Sequence, residues 1–258
     1  MCDNRCQVYR VTYKIHRMSC KFGFYTCQNT SMCDTCDDGD NYGNYSKGMK
    51  VLVACEYSGA VRDEFIRLGH DAVSCDLLPT DVPGPHYTGD VFDIINDGWD
   101  MMIAFPPCTH LALSGAAWFE EKRKDGRQEE ALQFVRDLMN APIDKIAIEN
   151  PMGIIPSHIR HYDQVIQPWM FGDPYQKSTC LWLKNLPLLT ATNIVEKGEF
   201  KEWIDKKTGK KKRQPLWFFE ALSKGDERWK IRSQTFPGIA KAMADQWSKP
   251  GIIQGKLL

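Results

Sequence analysis

The stretch "FPPC", residues 105–108, sets a cysteine directly behind two prolines where the apolar run "DMMIAF" ends. A thiolate is the strongest nucleophile among the ordinary side chains. Pro106 and Pro107 fix the backbone on its approach, so Cys108 is presented with little conformational freedom. A free cysteine is more often a small buried hydrophobe, and Cys55 and Cys75, set in apolar runs, read that way. Cys108 differs by its neighbours: the proline pair before it and the small-residue loop "THLALSG" after it point to covalent chemistry at a strand's edge.

The elements that must hold this thiol follow from periodicity. "KVLVACE" reads as a buried strand, "AVRDEFIRLG" as a helix closed by Gly69, and "DAVSCDL" as the next strand, which together make a βαβ unit. A short strand in "HYTGDV" follows, then the strand "DMMIAF", the amphipathic helix "GRQEEALQFVRDLMNAP" and the buried strand "DKIAIEN". "QVIQPWMFG" and "TCLWLKNLP" supply the last strands, and "GIAKAMADQW" a closing helix. Strands alternating with helices predict an α/β fold: a doubly wound, Rossmann-like parallel sheet with helices on both faces.

In such sheets ligands bind beyond the carboxyl ends of the strands. The five ends here carry Glu56-Tyr57-Ser58-Gly59, Asp76, Asp90, Pro107-Cys108 and Glu149-Asn150, all polar or reactive. A glycine turn at Gly59 with an acid at Asp76 on the next strand matches the logic by which a nucleoside is held, backbone amides beside the ligand and a carboxylate on the ribose hydroxyls. The G-x-G-x-x-G fingerprint of a pyrophosphate site is missing, so the expected cofactor is one without phosphates. S-adenosyl-L-methionine is such a cofactor.

Composition sets the limits. The 258 residues suffice for one principal α/β domain and a small appendage, and Lys+Arg and Asp+Glu balance at 33 each, so attraction to nucleic acid must come from a local patch. No apolar stretch approaches the ~20 residues a bilayer span needs, and "MCDNRC" lacks the pattern of a signal peptide; a cytoplasmic protein without a membrane partner is expected. Of ten cysteines, six fall within the first 36 residues, at spacings that fit no standard zinc pattern beyond one "CDTC". Residues 1–48 are therefore read as a separate Cys-rich extension, a small metal-bound knuckle or ill-ordered upstream sequence before a start at Met49, and residues 49–258 as the catalytic domain. No metal site is assigned; His158 and His161 are at helical spacing without a cysteine or acid pair and read as surface residues.

From Met49 onward the order of motifs resembles the cytosine-5 DNA methyltransferases, above all their small phage-borne members. "ACEYSGAV" is similar to the cofactor loop, "CDLLP" to the ribose acid, "GDV" to the adenine-contacting aspartate, "FPPC" to the Pro-Cys motif and "IENP" to the Glu-Asn motif, with "QKSTCLW" and "RSQTFPGIAKAMADQW" in the places of later blocks. The resemblance implies that Cys108 adds to C6 of cytosine, that Glu149 stabilises the adduct through a proton at N3, and that Asn150 holds the Pro-Cys loop by hydrogen bonds with Pro151 stiffening the turn. It implies S-adenosyl-L-methionine bound by Glu56, Tyr57, Ser58, Gly59, Asp76, Asp90 and Pro107. It also implies double-stranded DNA as partner, with the target base flipped out, and DNA marking against restriction in a bacterial or phage-infected cell.

The pattern departs from the family in three places: Lys177 stands where arginines are usual, the cofactor loop has one glycine, and Glu-Asn is followed by proline. The interval near 190–232 is short for a recognition domain, yet "EFKEWIDKKTGKKKRQPLWFF" packs six basic residues from Lys206 to Arg213 around a Thr-Gly turn between aromatics, a basic hairpin suited to phosphates and bases or simply solvated. Lys177, Lys210, Lys211, Lys212, Arg213 and Arg232 are the expected DNA contacts. His110 is read as lining the substrate or structuring the loop, two positions on a loop being a poor spacing for a Cys-His pair. Three other readings stay open: transfer to a free pyrimidine nucleotide, transfer to an exocyclic amine, which calls for Asp or Asn where Phe105 stands, and an inactive nucleic-acid-binding relative. Oligomeric state is open, and a monomer is compatible with the sequence.

Overall fold

A computed structural model describes residues 8–9, 17–20, 23–25, 48–221, 225, 228–233 and 235–249. The chain divides into two compact units, Met1–Lys47 and Gly48–Leu258. In the first, strands β1 (Val8–Tyr9), β2 (Arg17–Cys20) and β3 (Gly23–Tyr25) form an antiparallel sheet in that order. The metal question raised by its cysteines concerns side chains outside the described residues.

The second unit is built on a seven-stranded sheet. Strands β4 (Lys50–Ala54), β5 (Asp71–Asp76), β6 (His86–Thr88), β7 (Met101–Ala104) and β8 (Lys145–Pro151) run parallel, and β9 (Gln164–Ile166) and β10 (Thr179–Lys184) complete the order β6-β5-β4-β7-β8-β10-β9. β10 is antiparallel to both of its neighbours, which corrects the expectation of a wholly parallel sheet. Between β9 and β10 the chain makes only one 3-10 turn, Pro168–Met170. With no crossover helix to carry it back, the strand returns in the opposite sense.

Helices α1 (Ala60–Arg67), α2 (Phe119–Lys124), α3 (Arg127–Met139), α4 (Ile155–His158), α5 (Leu216–Ala221), α6 (Arg228–Ser233) and α7 (Pro237–Trp247) complete the unit. Side chains alternate across the pleat, so Val51, Val53, Met101, Ile103, Ala147 and Leu181 pack under α1 and α7, whereas Leu52, Ala54, Met102, Ala104, Ile146, Ile148 and Trp182 pack under α3. This is the doubly wound Rossmann-like architecture that the sequence predicts. α7 starts with Pro237 preset for a first turn. Its Met243 and Trp247 are fully buried, each contributing about 2 kcal/mol from the apolar surface removed from water. Cys55 lies one residue past β4, half-buried, with φ 57°, and so is a turn residue and not the strand core residue its run suggests.

The hairpin read from the basic run is present as β11 (Phe200–Ile204) and β12 (Lys211–Pro215). Among the described residues, no helix is long and apolar enough to cross a membrane.

Candidate active site

The parallel strands all end on one edge of the sheet, and because β10 runs the other way its beginning meets the end of β8: Thr179 pairs with Pro151 and Leu181 with Glu149. Lys177, just ahead of β10, is thereby carried to the same edge as Glu149. The antiparallel strand is thus part of the site's construction.

β7 leads into the proline pair, with Pro106 buried and Pro107 and Cys108 exposed. The Cys108 carbonyl accepts the Leu111 and Ala112 amides (3.0 and 2.9 Å), which closes a tight turn behind the thiol. That turn is zipped to the chain leaving β8: Leu113 N donates to Met152 O and Ile154 N to Leu111 O, both at 3.0 Å. The backbones approach so closely there that a Cβ on Gly153 would collide with the Leu111 carbonyl. Lys122 Nζ donates to Thr109 O (2.6 Å) and Gln128 Nε2 to His110 O (3.3 Å), strapping the far side of the turn to α2 and α3. His110 is held within this strapped loop, with its Nδ1 buried and unpaired among the described residues.

Glu149 and Asn150, neighbours on β8, point to opposite faces of the sheet. Asn150 is 1% exposed and its Nδ2 donates to the Pro106 carbonyl at 2.8 Å, a direct tie from β8 to the Pro-Cys turn. Asn150→Ala would leave that buried carbonyl unsatisfied; a loss of about 1–3 kcal/mol is expected, read as a lower denaturation midpoint, together with faster proteolysis at the 108–115 loop. Glu149 shares the other face with Thr179, whose hydroxyl donates to the Lys177 carbonyl (3.4 Å) and draws the Glu149 carboxyl down.

The electrostatics join these groups. Burial among the site's atoms pushes the Cys108 thiol above its ordinary value although the residue is open to solvent; the Glu149 carboxylate pushes it further, while Lys177, its own backbone amide and Arg232 pull it back. Burial likewise raises Glu149, opposed by Lys177 and the Thr179 hydroxyl. Glu149 therefore acts on the Cys108 thiol, Lys177 acts on both groups, and an arginine from α6 acts on the thiol. Buried Cys75 and Cys180 are raised by desolvation to about 12 and about 11 and stay thiols at neutral pH.

The other three strand ends form a separate, acidic crescent. Gly59 takes a left-handed turn (φ 74°) into α1. Behind it the carboxylate of Glu56, 4% exposed, accepts the Val61 and Arg62 amides (2.7 and 3.3 Å) and the Ser58 hydroxyl (3.3 Å). Glu56 therefore shapes, from below, the loop in which the sequence expects a cofactor contact. Arg62 is fully buried and hydrogen-bonds Ser74 (3.0 Å), Thr80 (3.3 Å) and the Val82 carbonyl (3.4 Å), which fixes the loop after β5. Tyr57 lies against α6, its hydroxyl 3.1 Å from Ser233 Oγ. Asp76 Oδ1 accepts the Leu78 amide (2.9 Å) and Asp90 Oδ1 the Phe92 amide (3.0 Å), and neither carboxylate enters an ion pair among the described residues. The carboxylates of Asp76 and Asp90 raise the thiols of both Cys55 and Cys75 beside them, with Cys75 adding to the effect on Cys55 and Asp93 to that on Cys75. Such a crescent suits a cationic ligand bearing hydroxyl groups and opposes a phosphate.

The basic hairpin forms a two-stranded sheet of its own. Three of its expected DNA contacts are engaged within it: Lys211 pairs with Glu202 (2.6 Å), Lys212 with Asp205, and the Arg213 guanidinium lies 5.1 Å from the Phe200 ring centroid. Lys206, Lys207 and Lys210 at the tip have no ion pair among the described residues. Arg232 and Lys177, expected from the sequence as DNA contacts, both act on the Cys108 thiol. Sequence reasoning missed Thr179, Ser233 and Arg62; a β10 read as antiparallel would have pointed to Thr179.

No family model matches the chain, and no curated protein does. Among solved structures it is similar to a methyltransferase of Entamoeba histolytica, EhMeth, at 15% identity and TM-score 0.42, over 58% of each chain. It is also similar to WbdD at 12% identity in two structures. One, a co-crystal with the kinase inhibitor LY294002, has a TM-score of 0.33 over 60% of this chain and 40% of that one. The other, described as a bifunctional kinase-methyltransferase, has a TM-score of 0.32 over 63% and 40%. The chain covers less than two thirds of the length of each.

Proposed function

We propose that the chain is an S-adenosyl-L-methionine-dependent DNA cytosine-5 methyltransferase acting through a covalent adduct of Cys108. The observation that carries this reading is the meeting of a strapped, solvent-open thiol and a half-buried carboxyl, from two different strands of one sheet edge, with the carboxylate acting on the thiol.

C5 of cytosine is too weak a nucleophile to take a methyl group unaided. Attack of the Cys108 thiolate on C6 forms the S–C6 bond and moves the C5=C6 pair to C4=C5, while the C4=N3 pair takes the proton of neutral Glu149 at N3. The product is an enamine with a nucleophilic C5. Once C5 carries the methyl group, its proton leaves to water, the thiolate is expelled as C5=C6 reforms, and Glu149 recovers the proton from N3. Asn150 keeps the Pro-Cys turn still throughout by its bond to the Pro106 carbonyl.

The residues of the acidic crescent fit the cofactor. Asp76 retains an oxygen for ribose hydroxyls and Asp90 one for an adenine amine, and Tyr57, Ser58, Gly59 and Pro107 follow the ends of adjacent strands β4 and β7, where this reading seats the rest of the cofactor. When bound, the sulfonium supplies an electrophilic methyl group. For DNA, the exposed tip lysines Lys206, Lys207 and Lys210 are the phosphate contacts this reading favours, with the base reaching Cys108 by flipping, since the thiol cannot approach C6 inside a stacked duplex.

Nucleoside mass spectrometry on DNA from cells making the chain tests the proposal. 5-Methylcytosine above the level of control cells is expected. N4-methylcytosine or N6-methyladenine in its place would select the exocyclic-amine reading, and labelled cofactor offered with duplex or with free nucleotides separates the nucleotide reading.

A further inference from the structure

The two cations that act on Cys108 both rest on an aromatic platform. Tyr175, Trp217, Phe218 and Phe236 come from three separate segments and form a continuous stack. Ring centroids lie 5.3 Å apart for Tyr175–Phe236, 5.6 Å for Trp217–Phe236 and 5.8 Å for Trp217–Phe218, the last two close to perpendicular. The Trp217 indole donates to the Gln176 carbonyl (3.2 Å), beside Lys177. The Arg232 guanidinium carbon lies 4.2 Å from the Phe218 centroid, and Lys177 Nζ lies 5.8 Å from that of Phe236.

We propose that this platform is a positioning device: Phe218 fixes Arg232, with Phe236 fixing Lys177, so that residues which never touch the reacting base set the reactivity of Cys108. The physical basis is the attraction of a cation to the face of an aromatic ring. Loss of that face removes one of the contacts that hold the half-buried guanidinium and widens its excursions toward water, where its field at the thiol is screened. The charged groups acting on the thiol are Glu149 from β8, Lys177 ahead of β10 and Arg232 from α6, so two cations held in place offset one carboxylate. α5 also carries the hairpin, since Leu216 N donates to Glu199 O (2.8 Å), and Lys201 Nζ lies 4.3 Å from the Phe219 centroid. Phe218 is thus a mechanical neighbour of the proposed DNA-contacting tip, and a ligand gripping the tip acts on the same helix that steers Arg232. The inference rests on the methyltransferase reading only in taking Cys108 as the nucleophile.

Iodoacetamide alkylation of the Cys108 peptide in the full chain, followed by mass spectrometry as a function of pH, tests it without cofactor or DNA. Arg232→Gln should move the alkylation midpoint upward by about half a pH unit, as expected for loss of a partly solvated opposite charge, and Phe218→Leu should move it in the same direction by no more than that. The double variant should move no further than Arg232→Gln alone, because both changes remove the same effect. Phe218→Tyr, which keeps the ring face, should stay at the wild-type midpoint. An unmoved midpoint in Arg232→Gln, or in a Phe218→Leu chain whose circular dichroism is unchanged, would overturn the inference, as would full additivity in the double variant. Should Phe218→Leu fail to fold, Arg232→Gln, a change outside the core, and Phe218→Tyr still decide the matter. A chain that alkylates as expected yet transfers no methyl group would keep this inference and remove the enzymatic reading.

Discussion

Cys108→Ala should abolish 5-methylcytosine formation, by at least about 10³-fold, the scale on which removal of a nucleophile acts, while leaving the fold intact. The loss is large because no other group at the site can add to C6: the neighbouring Cys180 is buried with its thiol raised to about 11. The fold survives because the turn is made by backbone, with the Cys108 carbonyl accepting from Leu111 and Ala112 and the Pro106 carbonyl accepting from Asn150, and because an exposed side chain trimmed to alanine changes stability by about 0.5 kcal/mol at most. Nucleoside mass spectrometry paired with thermal melting measures both halves. Methylation surviving in Cys108→Ala with an unchanged melting temperature would mean that no covalent adduct is involved.

Glu149→Gln should lower the methylation rate by about 10²-fold or more, the usual scale for a general acid, and should change the form of its pH profile. In the wild type the Glu149 carboxylate raises the Cys108 thiol, and over the range between their two apparent pKa values the pair holds a single proton. The productive arrangement places that proton on Glu149 and leaves Cys108 as thiolate. Below this range both groups are protonated and there is no nucleophile; above it both are ionised and N3 receives no proton. The wild-type rate should therefore trace a bell. Glutamine cannot titrate, so the high-pH limb should vanish, leaving a weak rate that rises with pH to a plateau. The same substitution removes a negative charge that raises the thiol, so alkylation of Cys108 should begin at lower pH than in the wild type. A bell retained in Glu149→Gln, or an alkylation midpoint that moves upward, would remove Glu149 from this role.

Much of this arrangement is legible in the sequence because it depends on local rules. Unbroken apolar runs mark β4, β7 and β8 as strands buried on both faces, and the residues that follow them fall at the carboxyl edge whatever the packing above. The hairpin is legible because "EFKEWIDKKTGKKKRQP" supplies both a turn and its flanking strands. What is not legible is long-range. The direction of β10 depends on what connects it to β9, and "QPWMFGDPYQKS" carries no periodic signal for or against a crossover. The placement of Lys177 beside Glu149 is hidden for the same reason. Glu56 looks like a ligand contact because it follows a strand, but helix α1 begins so close behind it that its amides take the carboxylate first. Arg62 reads as a surface residue of an amphipathic helix, and its full burial comes from the polar groups that Ser74, Thr80 and Val82 bring over it.

The most direct test of the account is to trap the bond it requires. Duplex DNA carrying 5-fluorocytosine, incubated with the chain and S-adenosyl-L-methionine, cannot lose fluorine from C5 as it would lose a proton, so the adduct should persist through denaturation. Peptide mass spectrometry should find the base on the peptide carrying Cys108 and find nothing on that of the Cys108→Ala chain. Methylation of ordinary cytosine without any such cross-link, or a cross-link to a different cysteine, would contradict the account.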